Sequence, residues 1–226
     1  MHREVFPKWS RPPAKPGLRE GLVDIWRIDL SIRSGGLPTP GKASSQGDSG
    51  PGPGSAPAGQ RAAAHRLMRE ILGRYIDCPT RELQIKKQAG GKPYLHAPER
   101  PLEFNLSHSR DIALLAVSTL VSVGIDVEAY REIDDPLRLA RRVMSAEEYA
   151  EIESLPDEAR LDRFLNLWTR MEARQKAIGR GIFAQPADPG VLTSFSFRPG
   201  PGLYAGLSIS PAITNPELRF LDLRLS

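Results

Sequence analysis

Eight consecutive residues constrain the fold of this chain more than any others. Val121-Ser-Val-Gly-Ile-Asp-Val-Glu128 alternates without a break between branched apolar side chains and small or acidic ones. That two-residue period belongs to a β-strand, whose successive side chains point to opposite faces. Val121, Val123, Ile125 and Val127 then face a core, while Ser122, Gly124, Asp126 and Glu128 face the other way. The chain must therefore build a sheet with one buried face and two carboxylates side by side on the other. Two readings fit those carboxylates. They belong to a solvated outer face, where acids are common. Or they share a hard divalent cation such as magnesium, which relieves their repulsion and leaves room for water and substrate phosphates.

Around this strand the pattern changes period several times. Residues 22–32 mostly alternate and predict a strand. Arg61–Ile76 places Leu67, Ile71, Leu72 and Tyr75 on one helical face. Short strands are expected at Leu83–Lys87, Leu102–Leu106 and Ile112–Ser118, with a turn at Gly90-Gly91-Lys92-Pro93. Helices follow at about Asp135–Val143, Ala146–Ser154 and Asp162–Ile178. Strands close the chain at Ser194–Arg198, Leu203–Ile209 and Glu217–Leu225. Residues 34–60 are rich in Gly, Pro, Ser and Ala and cannot bury a core, so they read as a mobile insertion. Strand, helix and strands thus occur in that order twice, with little sequence identity between the two units. Mixed runs of this kind predict an α+β fold. The halves divide at about 1–119 and 120–226, the second carrying the paired carboxylates.

Composition excludes several classes. The longest apolar run, Ile112–Val117, is too short to cross a bilayer. No secretory signal opens the chain, and a cytoplasmic location is expected. Cys78 is the only cysteine, which excludes an internal disulfide or a cysteine metal cluster. The net charge of +4 is spread along the sequence, without the dense Lys/Arg run of a nucleic-acid tail. It suits an acidic partner or a phosphorylated ligand, or simply records a preference for arginine.

Two further segments carry chemistry. In the helix over Asp162–Ile178, residues four apart share a face, so Trp168, Glu172 and Lys176 form one stripe. Glu172 and Lys176 are either a surface ion pair or a third metal ligand beside a phosphate contact. Phe104-Asn-Leu-Ser-His-Ser109 ends a strand with small donors, and His108 there is either structural or a ligand, base or phosphate donor. The neighbouring Ser107 and His108 point to opposite faces and do not resemble a hydrolase triad. No G-x-S-x-G elbow, Walker A loop or G-x-G-x-x-G fingerprint is present.

Taken in order, G-K-P-Y-L (91–95), F-N-L-S-H-S (104–109), V-G-I-D-V-E (123–128) and W-T-R-M-E-A-R-Q-K-A-I-G-R-G-I (168–182) closely resemble the 4′-phosphopantetheinyl transferase superfamily, in its long Sfp-type form. The resemblance implies a monomer of two similar α+β halves, with the active site and coenzyme A in the cleft between them. It implies transfer of phosphopantetheine to a serine of an acyl or peptidyl carrier protein, with neither nucleic acid nor membrane involved. Asp126, Glu128 and Glu172 match its magnesium ligands, and manganese would suit the same set. Glu148, in Ser145-Ala-Glu-Glu-Tyr, matches the base that takes the serine proton, with Glu147 the alternative if the register slips by one. Lys176 matches the lysine that meets the pyrophosphate. Lys92, Ser107 and His108 match contacts to the phosphates or nucleotide of coenzyme A. Arg69 is a further expected phosphate contact, and Arg61 another.

One position departs from the family pattern. A lysine usually precedes the glutamate of the fourth motif, and here that residue is Met171. Arg174, three residues on and on nearly the same face, is the expected replacement for the lost charge. Two rival readings stand beside this one. A magnesium phosphodiesterase or nuclease on the same carboxylates leaves the Gly-Lys-Pro and Ser-His segments unexplained. A basic module that holds nucleic acid predicts no metal-dependent chemistry.

Overall fold

The alternating strand over 121–128 forms where its period demands, and a second sheet packs on its apolar face. A computed structural model describes residues 4–31, 58–179, 192–210, 213 and 215–225. The insertion expected at 34–60 therefore lies outside the described residues, except that 58–60 open the first helix.

One sheet contains β2 (Leu22–Asp29), β5 (Glu103–Ser109), β6 (Ile112–Ser118) and β10 (Glu217–Asp222), in the order β10-β2-β6-β5. The other contains β1 (Glu4–Val5), β7 (Ser122–Ala129), β8 (Thr193–Phe197) and β9 (Leu203–Ser210), in the order β1-β8-β9-β7. The chain ends cross over: β10 runs parallel to β2, and β1 runs parallel to β8. A two-stranded hairpin, β3 (Gln84–Lys87) and β4 (Pro93–Ala97), stands apart from both sheets. Among the described residues there are four α-helices: α1 (Ala58–Ile76), α2 (Pro136–Val143), α3 (Ala146–Glu153) and α4 (Asp157–Ala177).

Alternation along the strands sets the layers. On β2, Trp26 and Ile28 join Leu67, Ile71 and Leu72 of α1, while Val23 and Ile25 join Val123, Ile125, Phe195 and Leu207 of the other sheet. The order of layers is helix, sheet, sheet, helix. The apolar half of the 121–128 strand lies in the inter-sheet core, leaving Asp126 and Glu128 on the face that meets α4.

Two glycines let α4 lie close on that face. A Cβ at Gly124 would stand 2.0 Å from the Ala173 carbonyl oxygen, and one at Gly206 would stand 2.3 Å from that of Thr169. Both approaches are closer than any side chain tolerates, so α4 rests directly on β7 and β9. The helix begins at Asp157 rather than near Asp162. Its first turn carries Asp157 and Glu158, acids that favour a helix N-terminus, but it lacks the apolar period that marks the rest. α2 is capped by Asp135, whose side chain accepts from the Arg138 N–H at 2.9 Å. A capping box between Ser145 and Glu148 starts α3.

The first helix is fastened by a buried polar chain. Trp26 Nε1 donates to Tyr75 Oη at 2.7 Å, and Tyr75 donates to Asp24 Oδ2 at 2.5 Å. Arg219 of β10 meets both oxygens of that fully buried carboxylate at 2.7 and 2.6 Å. Among the described residues no helix is long and apolar enough to cross a membrane.

Candidate active site

Strand alternation brings Asp126 and Glu128 to the α4 face, and helical spacing brings Glu172 and Lys176 down onto them. Asp126 is buried. Its Oδ1 accepts from Lys176 Nζ at 2.6 Å and from Ser107 Oγ at 2.8 Å. Lys176 also donates to Ser107 Oγ at 3.1 Å. The other oxygen of Asp126, Oδ2, is buried without a hydrogen-bond partner. Glu128 accepts from Ser109 Oγ at 3.2 Å.

Two of the acids are raised by burial and by the charge of Asp126. Burial pushes the Glu172 carboxyl up to about 7, and the charge of Asp126 adds to it against the opposing pull of Lys176. Burial, and then Asp126, also push Glu128 above the ordinary carboxylate range. One lysine does not neutralise three buried or half-buried acids. That surplus, with the orphaned Asp126 oxygen, fits a hard divalent cation bound by carboxylates. As they stand, no three His, Cys, Asp or Glu side chains among the described residues converge tightly enough to hold an ion between them. Lys176 instead lies against Asp126 as its counter-ion.

A basic group adjoins the acids. His108 on β5 is held below its usual value by burial, and then by the positive charges of His65 and Arg61 on α1 and of Lys176. His65 is lowered by burial and by Lys87 of the hairpin. Four elements thus gather basic side chains at one place, donors suited to an anionic phosphate chain.

The remaining expected residues have partners elsewhere. Arg69 Nη2 donates to the carbonyls of Thr80 and Leu83, both at 2.6 Å. Lys92 is buried, bonding to Ser122 Oγ, to the Ala177 carbonyl at 3.2 Å and to Glu103 at 3.5 Å. Burial lowers its affinity for a proton. Glu148 closes the α3 capping box and pairs with Arg170 at 3.3 Å and Arg174 at 3.6 Å. Glu147 is exposed, and hydrogen bonds in the first turn of α3 hold it below the usual carboxylate range. Arg174 Nε also donates to Ser194 Oγ at 3.4 Å, so its guanidinium turns to Glu148 and β8 rather than to Lys176. The Arg180-Gly-Ile182 end of the fourth motif lies outside the described residues.

Sequence reasoning passed over Ser109 and His65. The signal for Ser109 was present: Asn105, Ser107 and Ser109 share one face of β5 by the same alternation that exposed the carboxylates. The position of His65 depends on how α1 crosses the sheet, which no local pattern records.

Comparison with known proteins gives matches over most of the described chain. The family model described as "4'-phosphopantetheinyl transferase superfamily" matches residues 122–207. The one described as "4'-phosphopantetheinyl transferase, N-terminal" matches residues 59–120. The chain is similar to the 4'-phosphopantetheinyl transferase HetI of Nostoc sp., 39% identical over 53% of this chain and 52% of that protein. It is similar to the 4'-phosphopantetheinyl transferase AcpT of Escherichia coli, 38% identical over 55% of this chain and 62% of the relative. The transferase gsp of Aneurinibacillus migulanus is 32% identical over 52% of this chain and 47% of its own length. The chain spans about half the length of these curated relatives.

Proposed function

The chain belongs to the 4′-phosphopantetheinyl transferase superfamily, and from that premise we propose that it moves the phosphopantetheine arm of coenzyme A onto a serine of an apo carrier protein, releasing 3′,5′-ADP. The observation that carries this reading is the acid cluster on β7 and α4: Asp126, Glu128 and Glu172 around Lys176, with a buried Asp126 oxygen lacking any partner. The N-terminal family match adjoins it with the basic group of α1 and β5.

Transfer of a phosphoryl-linked group depends mostly on positioning and charge neutralisation. Asp126, Glu128 and Glu172 would hold a magnesium or manganese ion, which when bound offsets the charge of the pyrophosphate and polarises its phosphorus–oxygen bonds. Lys176 reaches the same place on a flexible stem and supplies a positive charge to the departing phosphate oxygen. His108, with Arg61 and His65 beside it, orients the phosphates of coenzyme A. Ser107 keeps Lys176 and Asp126 in register through its shared hydroxyl.

The attacking serine must lose its proton. Glu148 is the acceptor the sequence offers, and it is held beside the guanidiniums of Arg170 and Arg174. Glu148→Gln in single-turnover transfer tests this role: a large loss of rate with coenzyme A binding intact supports it, and an unchanged rate removes it. In this reading the enzyme is a cytoplasmic monomer.

Intact-mass spectrometry of an apo carrier incubated with the chain, coenzyme A and magnesium tests the proposal. The expected result is a gain of one phosphopantetheinyl arm that a chelator prevents. No gain on acyl and peptidyl carriers alike overturns it.

A further inference from the structure

The two sheets meet at β5 and β7, which belong to different sheets and share no backbone ladder. Three side chains from one face of β5 bridge the gap. Asn105 Oδ1 accepts from the Ile125 N–H at 2.8 Å. Ser107 Oγ donates to Asp126 at 2.8 Å. Ser109 Oγ accepts from the Ala129 N–H at 3.0 Å and donates to Glu128 Oε2 at 3.2 Å.

We propose that Ser109 is the positioning residue for Glu128, fixing from one sheet the direction of a carboxylate carried by the other. The chemistry of a hydroxyl enforces this. A serine has one proton to give and accepts through its lone pairs. With the Ala129 N–H directed at its oxygen, its proton is aimed at Glu128. Ser109 is itself buried, so no solvent competes for that proton. A carboxylate two bonds beyond its Cβ otherwise swings freely, and ligands left free to swing bind metal weakly. Partners that orient a metal ligand usually govern metal affinity by about 10- to 100-fold.

The inference rests on the metal-dependent reaction proposed above, and the test separates the two. The metal-free full chain is titrated with Mn2+, read by the electron paramagnetic resonance of the free ion. Ser109→Ala is expected to weaken Mn2+ binding by about tenfold or more, with the KM for coenzyme A unchanged at saturating metal. Asn105→Ala removes an equivalent bridge that does not touch an acid. It is expected to lower the melting temperature and to leave Mn2+ affinity at the parental value.

Ser109→Thr and Ser109→Val share a shape and differ in the hydroxyl, which makes them independent of packing. Tighter Mn2+ binding by the threonine variant supports the assignment. Equal affinity in that pair overturns it, as does an equal loss in Asn105→Ala and Ser109→Ala. A parent chain that binds no Mn2+ overturns the metal reading and this inference together. A parent that binds Mn2+ yet transfers nothing overturns the reaction alone, and the affinities of the variants still decide the role of Ser109.

Discussion

Glu172 shows at the scale of one residue how this site works against the stability of its own chain. Its carboxyl is raised from 4.5 to about 7 in the folded state. Below pH 4.5 it is protonated whether the chain is folded or not. Between pH 4.5 and 7 the unfolded chain releases the proton while the folded chain retains it, so stability falls as pH rises and levels off above about 7. The side chain is nearly buried, and the loss is on the order of 3 kcal/mol. Glu172→Gln removes the burden. In metal-free buffer it should melt well above the parent at pH 8 and close to it near pH 4.5, by circular dichroism. The same variant should transfer poorly. Asp126→Ala is expected to retain the fold and lose nearly all transfer, by roughly a hundredfold or more; full activity in the mass assay would remove Asp126 from the site. The acids were legible in the sequence because strand and helix periods place them directly. Partners were less so: Lys92, Arg69 and Glu148 stand at the expected positions in the chain, but their bonds to Ala177, Thr80 and Arg170 depend on long-range packing.

At the scale of elements, α4 matters because it carries half of the site across the carboxylate face of β7. Its height above the sheet is set by Gly124 and Gly206, where backbone meets backbone with no space for a methyl group. Gly124→Ala must lift the helix or bend it, since Ala173 and Ala177 present main-chain atoms that cannot rotate away. Overpacking of this kind costs about 1–3 kcal/mol. Because Glu172 and Lys176 ride on the same helix, activity should fall further than stability does. Melting temperature and transfer rate, measured on Gly124→Ala and on Gly206→Ala, test this. A loss of stability with an unchanged rate would mean that α4 does not fix the geometry of the acids. The sequence read these elements well where period and caps agree, as for β7, β9, α2 and α3. It missed β4, whose apolar period is short and follows the Gly-Gly turn. It also shortened α4, whose first turn is polar and announced only by its acids.

At the scale of the whole molecule, the charge can be tested against what docks. Neither sheet is built from one half of the sequence alone: β10 joins β2 and β1 joins β8. Such parallel pairings of distant segments leave no local pattern, which is why the exchanged ends could not be read from the sequence. Arg219 and Arg27 tie the last strand to β2 through Asp24 and Asp222. These cations are therefore occupied internally and do not serve a partner. The remaining excess, within a net charge of +4, has two uses under the proposed function: holding the phosphates of coenzyme A and attracting an acidic carrier. They differ in their response to salt. Encounter between charged proteins is screened beyond about 8 Å at physiological ionic strength, while contacts inside a closed site are screened much less. If the charge steers the carrier, kcat/KM for an acidic carrier should fall by about an order of magnitude between ~0.05 and ~0.5 M salt. The loss should appear in the KM for carrier, with kcat and the KM for coenzyme A nearly constant. Steady-state kinetics with each substrate varied in turn make the measurement. A loss confined to the KM for coenzyme A would assign the excess charge to the coenzyme A site around Arg61, and the carrier would then dock by shape and apolar contact.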